Sequence, residues 1–311
     1  MNDLKCTFRQ LLKNPGFTAV AVLSLTLGIA ANTTIFSFVN ALLLRPPPVE
    51  EPGKLWQVWR CRPQAAEAER YGSWSRVAFA YFRANNRSCA AIAAIDIDAT
   101  LTSWSYNGNG ESVQSAFISG NFFDVCGIRP ARGRFFIPAE DQTPGTHPAV
   151  VISHGFWQNR LGADPQAVGR VLTINGIALT VIGVAPRSFT GVMAGGSPDL
   201  WVPFMMAPAV LHDAEWLTQT TSQSVIGLAR LKPEVDASQA ATELTVLNHR
   251  FDEESRGDHI RGDDAMLFPA LLVPGPLRGY VGAFTGILMG SSGRWRSVWC
   301  CCWRRRCVFA A

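Results

Sequence analysis

Charged residues are scarce in this sequence, and one long stretch has none. Asp, Glu, Lys and Arg make up 17% of the 311 residues, below the roughly 25% of soluble domains. Residues 17–44 are 28 positions without Asp, Glu, Lys, Arg or His, and about 20 apolar residues suffice to cross a bilayer core. The absence of charge argues against a solvated surface helix and predicts a membrane-spanning helix over 17–44.

The predicted helix is longer than a bilayer requires. At about 1.5 Å of rise per residue it measures roughly 42 Å, against a hydrocarbon core of about 30 Å. Polar residues collect in its second half, so we expect the excess to form a stalk on the C-terminal side. Ser24, Gly28 and Asn32 follow one another at four-residue spacing, and small or weakly polar stripes let helices pack closely in lipid. These three residues are the predicted helix-packing positions of the span.

Two other interpretations of 17–44 are open. A signal peptide also has a basic start, as Lys5, Arg9 and Lys13 supply, but its apolar region is shorter and ends at a small-x-small cleavage site. A buried core helix rarely stays uncharged for so long. Under the spanning interpretation, the basic residues of the amphipathic segment 1–16 place the N-terminus in the cytoplasm and the domain after residue 44 outside it.

A basic body is also missing, although the net charge is +4. Five of the 28 Lys and Arg residues lie in 291–311, which has no acid, so the remainder carries 23 basic and 24 acidic residues. This balance argues against nucleic-acid binding. Four Cys also crowd that tail without the paired spacing of a zinc site. Disulfides among Cys61, Cys89 and Cys126 are permitted outside the cytoplasm and remain an open question.

Motifs for catalysis or cofactor binding are absent. No G-x-x-x-x-G-K-[ST] loop is present to hold ATP phosphates. Ser153-His154 could suggest a hydrolase, but Val151 stands where a nucleophile elbow needs its first Gly; Ser153 is better interpreted as a helix cap. The pairs at 212–213, 258–259 and 263–264 are interpreted as exposed loop residues. We predict no enzyme activity, no cofactor and no metal.

What is present is a pattern of short strands and helices over 45–268. Strands are predicted over 55–59, 112–119, 150–153, 200–204 and 224–231, and helices over 79–83, 121–125, 154–161 and 237–251 behind Asp236 as a cap. Asn175-Gly176 lies between the apolar runs 171–174 and 177–184 and predicts a two-residue hairpin. Six aromatic residues are interpreted as core rather than as a ligand groove: Phe122, Phe123, Phe135, Phe136, Trp157 and Trp201. The predicted fold class is α+β and strand-rich.

The C-terminal part changes character again. Residues 269–290 are an approach followed by an apolar stretch with Gly282, Gly286 and Gly290 at four-residue spacing, which predicts the start of a second spanning helix with its own packing face. Residues 291–311 are too charged to complete a crossing. A frameshift at this point is our hypothesis for the aberrant, Arg-, Cys- and Trp-rich tail.

The sequence before residue 291 resembles MacB/FtsX-type permeases of ABC transporters, particularly acidobacterial duplicated orphan permeases. The resemblance covers the opening 3–17, the helix segment 27–36 and ectodomain motifs at 119–123, 127–130, 133–136, 153–157, 168–170, 175–176, 181–186 and 199–201. It implies an inner-membrane protein with a first helix, a large periplasmic core domain and three further helices. It also implies two partners: a cytoplasmic ABC ATPase acting in trans, and a second permease chain, as a homodimer or as another permease half. The chain departs from this pattern after Gly290.

The resulting prediction is a membrane-anchored permease subunit, as a fragment, whose periplasmic domain couples ATP hydrolysis by a partner to export or mechanotransmission. Its expected surroundings are membrane lipid, an ATPase and another permease chain. A membrane-anchored periplasmic binding module without transport activity is the alternative from another class. A membrane-tethered hydrolase is a third, and it depends on Ser153 or His154.

Overall fold

The computed structural model describes residues 15–39, 47–66, 69–97, 100–106, 109–193, 197–219, 223–255 and 263–270. The helices are α1 (Pro15–Val39), α2 (Arg76–Asn85), α3 (Phe122–Cys126), α4 (His154–Asn159), α5 (Ala207–Leu211) and α6 (Ala237–Glu254). The strands are β1 (Leu55–Cys61), β2 (Tyr71–Gly72), β3 (Trp74–Ser75), β4 (Cys89–Asp96), β5 (Thr100–Tyr106), β6 (Asn109–Ile118), β7 (Arg132–Gly133), β8 (Ala149–Ile152), β9 (Val171–Ile174), β10 (Ile177–Val184), β11 (Leu200–Pro203), β12 (Gln223–Leu231) and β13 (Asp264–Pro269).

Helix α1 occupies most of the stretch that the sequence predicts as a span. No helix among the described residues has the length and apolar character that a bilayer crossing needs. Some side chains of α1, all of 40–46 and all of 271–311 lie outside the described residues. The span at 17–44, its stalk and the second span at 269–290 therefore stay predictions.

Six strands close into a small barrel. Around it each strand pairs with the next, in the order β6, β5, β9, β10, β8 and β11, and β11 returns to pair with β6 in parallel, Leu200 opposite Ser115. The β9–β10 hairpin turns at Asn175-Gly176, as predicted, and both residues have positive φ, 46° and 81°. Two positive φ values in succession are what a tight primed turn requires, and Asn and Gly adopt them most readily.

The remaining long strands form an antiparallel sheet in the order β4, β12, β1 and β13. Helices α2 and α6 pack against each other, with α2 beside β4 and β12 and α6 beside β13. The barrel and this sheet meet where Ile95 of β4 pairs with Ile118 of β6. The prediction of a strand-rich α+β fold is confirmed. The predicted strand 224–231 and helix 237–251 agree with β12 and α6 to within three residues.

The core has two faces because successive residues of a strand point to opposite sides. One cluster fills the barrel and continues beneath α2 and α6, and the other lies on the opposite face, beneath α3. Five of the six predicted core aromatics are buried, and Trp157 is partly buried against the first cluster. Phe123 stacks on Phe135 with ring centroids 3.9 Å apart. The interpretation of these aromatics as core is confirmed.

Strands β4 and β5 are not among the predicted elements. Strand β4 is rich in Ala and carries little β propensity of its own, but β6 and β12 flank it and most of its residues are buried. Its conformation is decided by its neighbours.

Candidate functional site

The strand that enters the antiparallel sheet and the strand that leaves it lie side by side. Strand β1, the first long strand after α1, pairs antiparallel with β13, the last described strand, with Trp56 opposite Pro269. Beyond that pair, the backbone N–H of Ala270 donates to the carbonyl oxygen of Leu55 at 2.8 Å. The chain therefore enters the sheet and leaves it at the same corner. We call residues 47–55, 125–127, 230 and 269–270 the junction.

Arg230 links three segments at the junction. It lies on β12 opposite Leu55. Its Nη2 donates to the carbonyl oxygen of Glu50 at 2.5 Å, and its Nε donates to that of Val125 at 2.5 Å. Because a guanidinium is a rigid, permanently charged fork of donors, it can bind two carbonyl oxygens from different segments at once. Arg230 thus ties the incoming chain and the end of α3 to the sheet.

A backbone contact reinforces this link. The N–H of Glu50 donates to the carbonyl oxygen of Cys126 at 3.0 Å. Gly127 ends α3 in the left-handed conformation, φ 69°, and a Cβ placed there would lie 2.4 Å from the Cβ of Glu50. Only glycine allows both the backbone conformation and this approach. The short helix predicted over 121–125 is confirmed as α3.

The incoming chain makes a sharp bend at Glu51, which has φ 44°. Its side chain pairs with Lys54 at 2.8 Å on the surface. The hydrogen bond from Lys54, together with its charge, lowers the pKa of Glu51 below its ordinary value. The bend turns the chain into β1 and completes the junction.

The family of the chain is decided by a comparison over most of its length. The family described as MacB-like periplasmic core domain matches residues 18–247. The chain belongs to this family. Its described sheet and barrel are therefore a MacB-like periplasmic core domain, and the predicted resemblance to MacB-type permeases is confirmed.

Relatives and a solved structure agree with this assignment. The chain is 28% identical over 138 residues to the macrolide export ATP-binding/permease protein MacB of Burkholderia thailandensis, a match that covers 43% of this chain and 20% of that protein. It is 34% identical over 148 residues to MacB 1/2 of Paracoccus denitrificans, which covers 45% of this chain and 20% of that protein. The match thus spans about a fifth of each relative's length. The fold matches the periplasmic region of MacB from Actinobacillus actinomycetemcomitans with a TM-score of 0.51 at 12% identity, covering 72% of this chain and 91% of that one.

The predicted packing residues are only partly within the described structure. Ser24, Gly28 and Asn32 lie in α1, where the side chain of Ser24 is exposed. Gly282, Gly286 and Gly290 lie outside the described residues. The two small-residue faces therefore stay predictions. The junction residues Arg230 and Glu50 were not predicted, because nothing local in the sequence relates positions 180 residues apart.

In the MacB-like domain, Ser153 has a structural role and the three described cysteines are buried. The Ser153 hydroxyl accepts a hydrogen bond from the Phe156 N–H at 3.0 Å and caps α4, as predicted. Cys61, Cys89 and Cys126 are buried, unbridged thiols, and burial raises the pKa of Cys89 to about 11. No group of three or more His, Cys, Asp or Glu side chains suited to a metal ion occurs within the described residues.

One surface prediction is wrong. Asp263 is not an exposed loop residue but is 1% exposed, and its carboxylate binds Arg60 and, at 3.0 Å, Nε of Arg62. Helix α6 continues to Glu254, three residues beyond its predicted end, and β13 begins at Asp264. The buried position arises because β13 pairs along the whole of β1 and brings Asp263 beside the arginines at its end.

Proposed function

We propose that this chain is a membrane-anchored permease subunit of a MacB-type ABC transporter, and that its periplasmic core domain receives motion from the membrane segments through the junction. The observation that supports this most directly is the adjacency of Leu55 and Ala270. A domain inserted between two membrane helices needs both of its ends on the side that faces the bilayer. Leu55 and Ala270, which lie near the two ends of the domain and are joined by a backbone hydrogen bond, meet that requirement.

The junction also suits the transmission of force. A displacement of residues 47–51 acts on Arg230, which is part of the central strand β12, and on the end of α3. Because packed interiors have low compressibility, such a displacement moves the elements together rather than being absorbed locally. The stalk proposed at the C-terminal side of 17–44 would deliver this displacement.

The energy source belongs to a partner in this proposal. The two relatives are named ATP-binding/permease proteins, and this sequence has no phosphate-binding loop of the Walker type. An ABC ATPase acting in trans on the cytoplasmic side would supply hydrolysis, and a second permease chain would complete the assembly within the lipid.

Two measurements test it. The full chain, tagged and purified from its native membrane, is expected to bring down an ABC ATPase and a second permease copy or half. Alkaline phosphatase fused after residue 270 is expected to be active, and a green fluorescent protein at the N-terminus is expected to fluoresce, since each works only in its own compartment. Absence of any ATPase from the purified material, or an inactive phosphatase fusion, would overturn the proposal.

A further inference from the structure

A cavity of roughly 700 Å³ lies away from the junction, between α6 and the strands β1, β2 and β13. Tyr71, Val246 and Met266 supply apolar lining, and Arg70, His249 and Asp264 supply the charged and titratable groups. Small-molecule sites have this range of volume and this combination of apolar walls with a few polar groups. The proposed coupling role does not involve this cavity.

Arg70 is an unusual member of the lining. Its Nε is buried and has no hydrogen-bond partner in the described part of the chain. The neighbouring Arg62, whose backbone N–H donates to the Arg70 carbonyl oxygen at 2.6 Å, likewise has a buried Nη2 without a partner there. A guanidinium stays charged in proteins, and a buried donor left unpaired is unfavourable. Arg70 lines the cavity, and an acceptor bound there would supply a partner for its guanidinium.

The charged side chains of the described residues also leave Arg70 without a counterion. Asp263 is shared by Arg60 and Arg62, and Asp264 lies 3.6 Å from His249. Among the described residues no carboxylate forms an ion pair with Arg70. Cys61 adds no negative charge at neutral pH, because burial raises the pKa of its thiol. Arg70 is therefore the cation of the cavity wall that has no ion-pair partner among the described residues.

The chemistry of the cavity walls limits the kind of ligand that can bind. A carboxylate matches the planar donor fork of arginine. Asp264 would repel a group with more than one negative charge, and the apolar walls favour an organic body over a bare ion. We propose that this cavity binds a small apolar monocarboxylate, with Arg70 pairing its carboxylate group and Tyr71, Val246 and Met266 contacting its apolar part.

The test uses the full chain in lipid nanodiscs, with empty nanodiscs as the blank, and 2-naphthoate as the probe in isothermal titration calorimetry. Saturable binding of 2-naphthoate is expected, and the neutral 2-naphthamide is expected to bind about tenfold more weakly, because it cannot form the charge-assisted pair. Arg70→Gln is expected to weaken naphthoate binding by about the same factor. The matched control is Arg187→Gln, which removes an exposed arginine that follows strand β10 of the barrel and does not line the cavity.

A second variant keeps the test independent of any effect of Arg70 on folding. Val246 is 44% exposed, so Val246→Trp is expected to fold and to abolish naphthoate binding by filling the cavity. Equal binding of acid and amide, unchanged affinity in Arg70→Gln, or no saturable binding overturns the proposal. No ATPase enters this assay, so its outcome is separate from that of the coupling proposal.

Discussion

Arg230 and Glu50 are 180 positions apart in the sequence, and the guanidinium of one donates to the backbone carbonyl of the other at 2.5 Å. The contact joins the incoming chain to the central strand of the periplasmic sheet. It requires no particular side chain at position 50, because the acceptor is a backbone group. The second acceptor of Arg230, the carbonyl oxygen of Val125, is also a backbone group. One side chain therefore organises the junction.

Arg230→Met is expected to loosen the junction. It removes two charge-assisted hydrogen bonds, so the free energy of unfolding should fall by about 1–3 kcal/mol. Hydrogen exchange of the full chain in detergent should show faster exchange at the Glu50 amide, which bonds to Cys126. Arg129→Gln, at an exposed site near the same helix end, is the control. Unchanged exchange at Glu50 in Arg230→Met would mean that the guanidinium does not hold this segment.

Gly127→Ala is expected to be more damaging than a left-handed backbone alone explains. Placing Ala in this conformation costs about 1 kcal/mol, and the new Cβ would lie 2.4 Å from that of Glu50. Gly145 has a similar φ, 72°, and a Cβ added there would meet nothing within 4 Å. Gly145→Ala therefore isolates the conformational cost. Urea unfolding should show a larger loss for position 127, and equal losses at both positions would contradict the close contact.

Asp263→Asn is expected to destabilise the domain strongly. The change leaves Arg60 and Arg62 beside a neutral amide, and breaking a buried ion pair in this way costs about 3–5 kcal/mol. Asp264→Asn is a matched control next to it in the sequence, because its side chain is 42% exposed and its pair with His249 is a surface contact; the expected loss is below about 1 kcal/mol. Thermal or urea unfolding of both variants gives the comparison, and similar losses would count against the buried pair.

Ser153→Ala is expected to weaken helix α4 by about 1 kcal/mol, because it removes the cap on the Phe156 N–H. Ser153→Asp is the rescue variant, since an aspartate can accept the same hydrogen bond. Stability recovered in Ser153→Asp identifies a cap. A hydrolytic activity lost in both variants would instead support the hydrolase alternative.

Cys89 should make stability depend on alkaline pH. Burial raises the pKa of its thiol from 9.0 to about 11 in the folded domain. Between these values the unfolded chain loses the proton first, so the stabilisation present below about pH 9 is lost as the pH rises towards 11. Urea midpoints measured at about pH 8 and about pH 10.5 should fall less in Cys89→Ala than in the natural chain. An identical fall in both would show that the thiol contributes nothing.

The sequence by itself determined the features that are encoded locally. Asn175-Gly176 specifies its turn because few other residue pairs adopt two positive φ values. Ser153 and Asp236 begin helices because their side chains accept from the first free N–H groups. The apolar spacing of the aromatics also predicted burial, and the combined motifs predicted the family.

Only the tertiary structure decided the junction, the burial of Asp263 and the position of Arg70 on the cavity wall. Each depends on contacts between distant segments: Arg230 with Glu50, Asp263 with Arg60, and Arg70 beside α6. The same residues would look like ordinary surface charges in any local window, since whether a charge is solvated or buried depends on which strands pair around it. The pairing of β1 with β13 placed both the junction and the buried carboxylate.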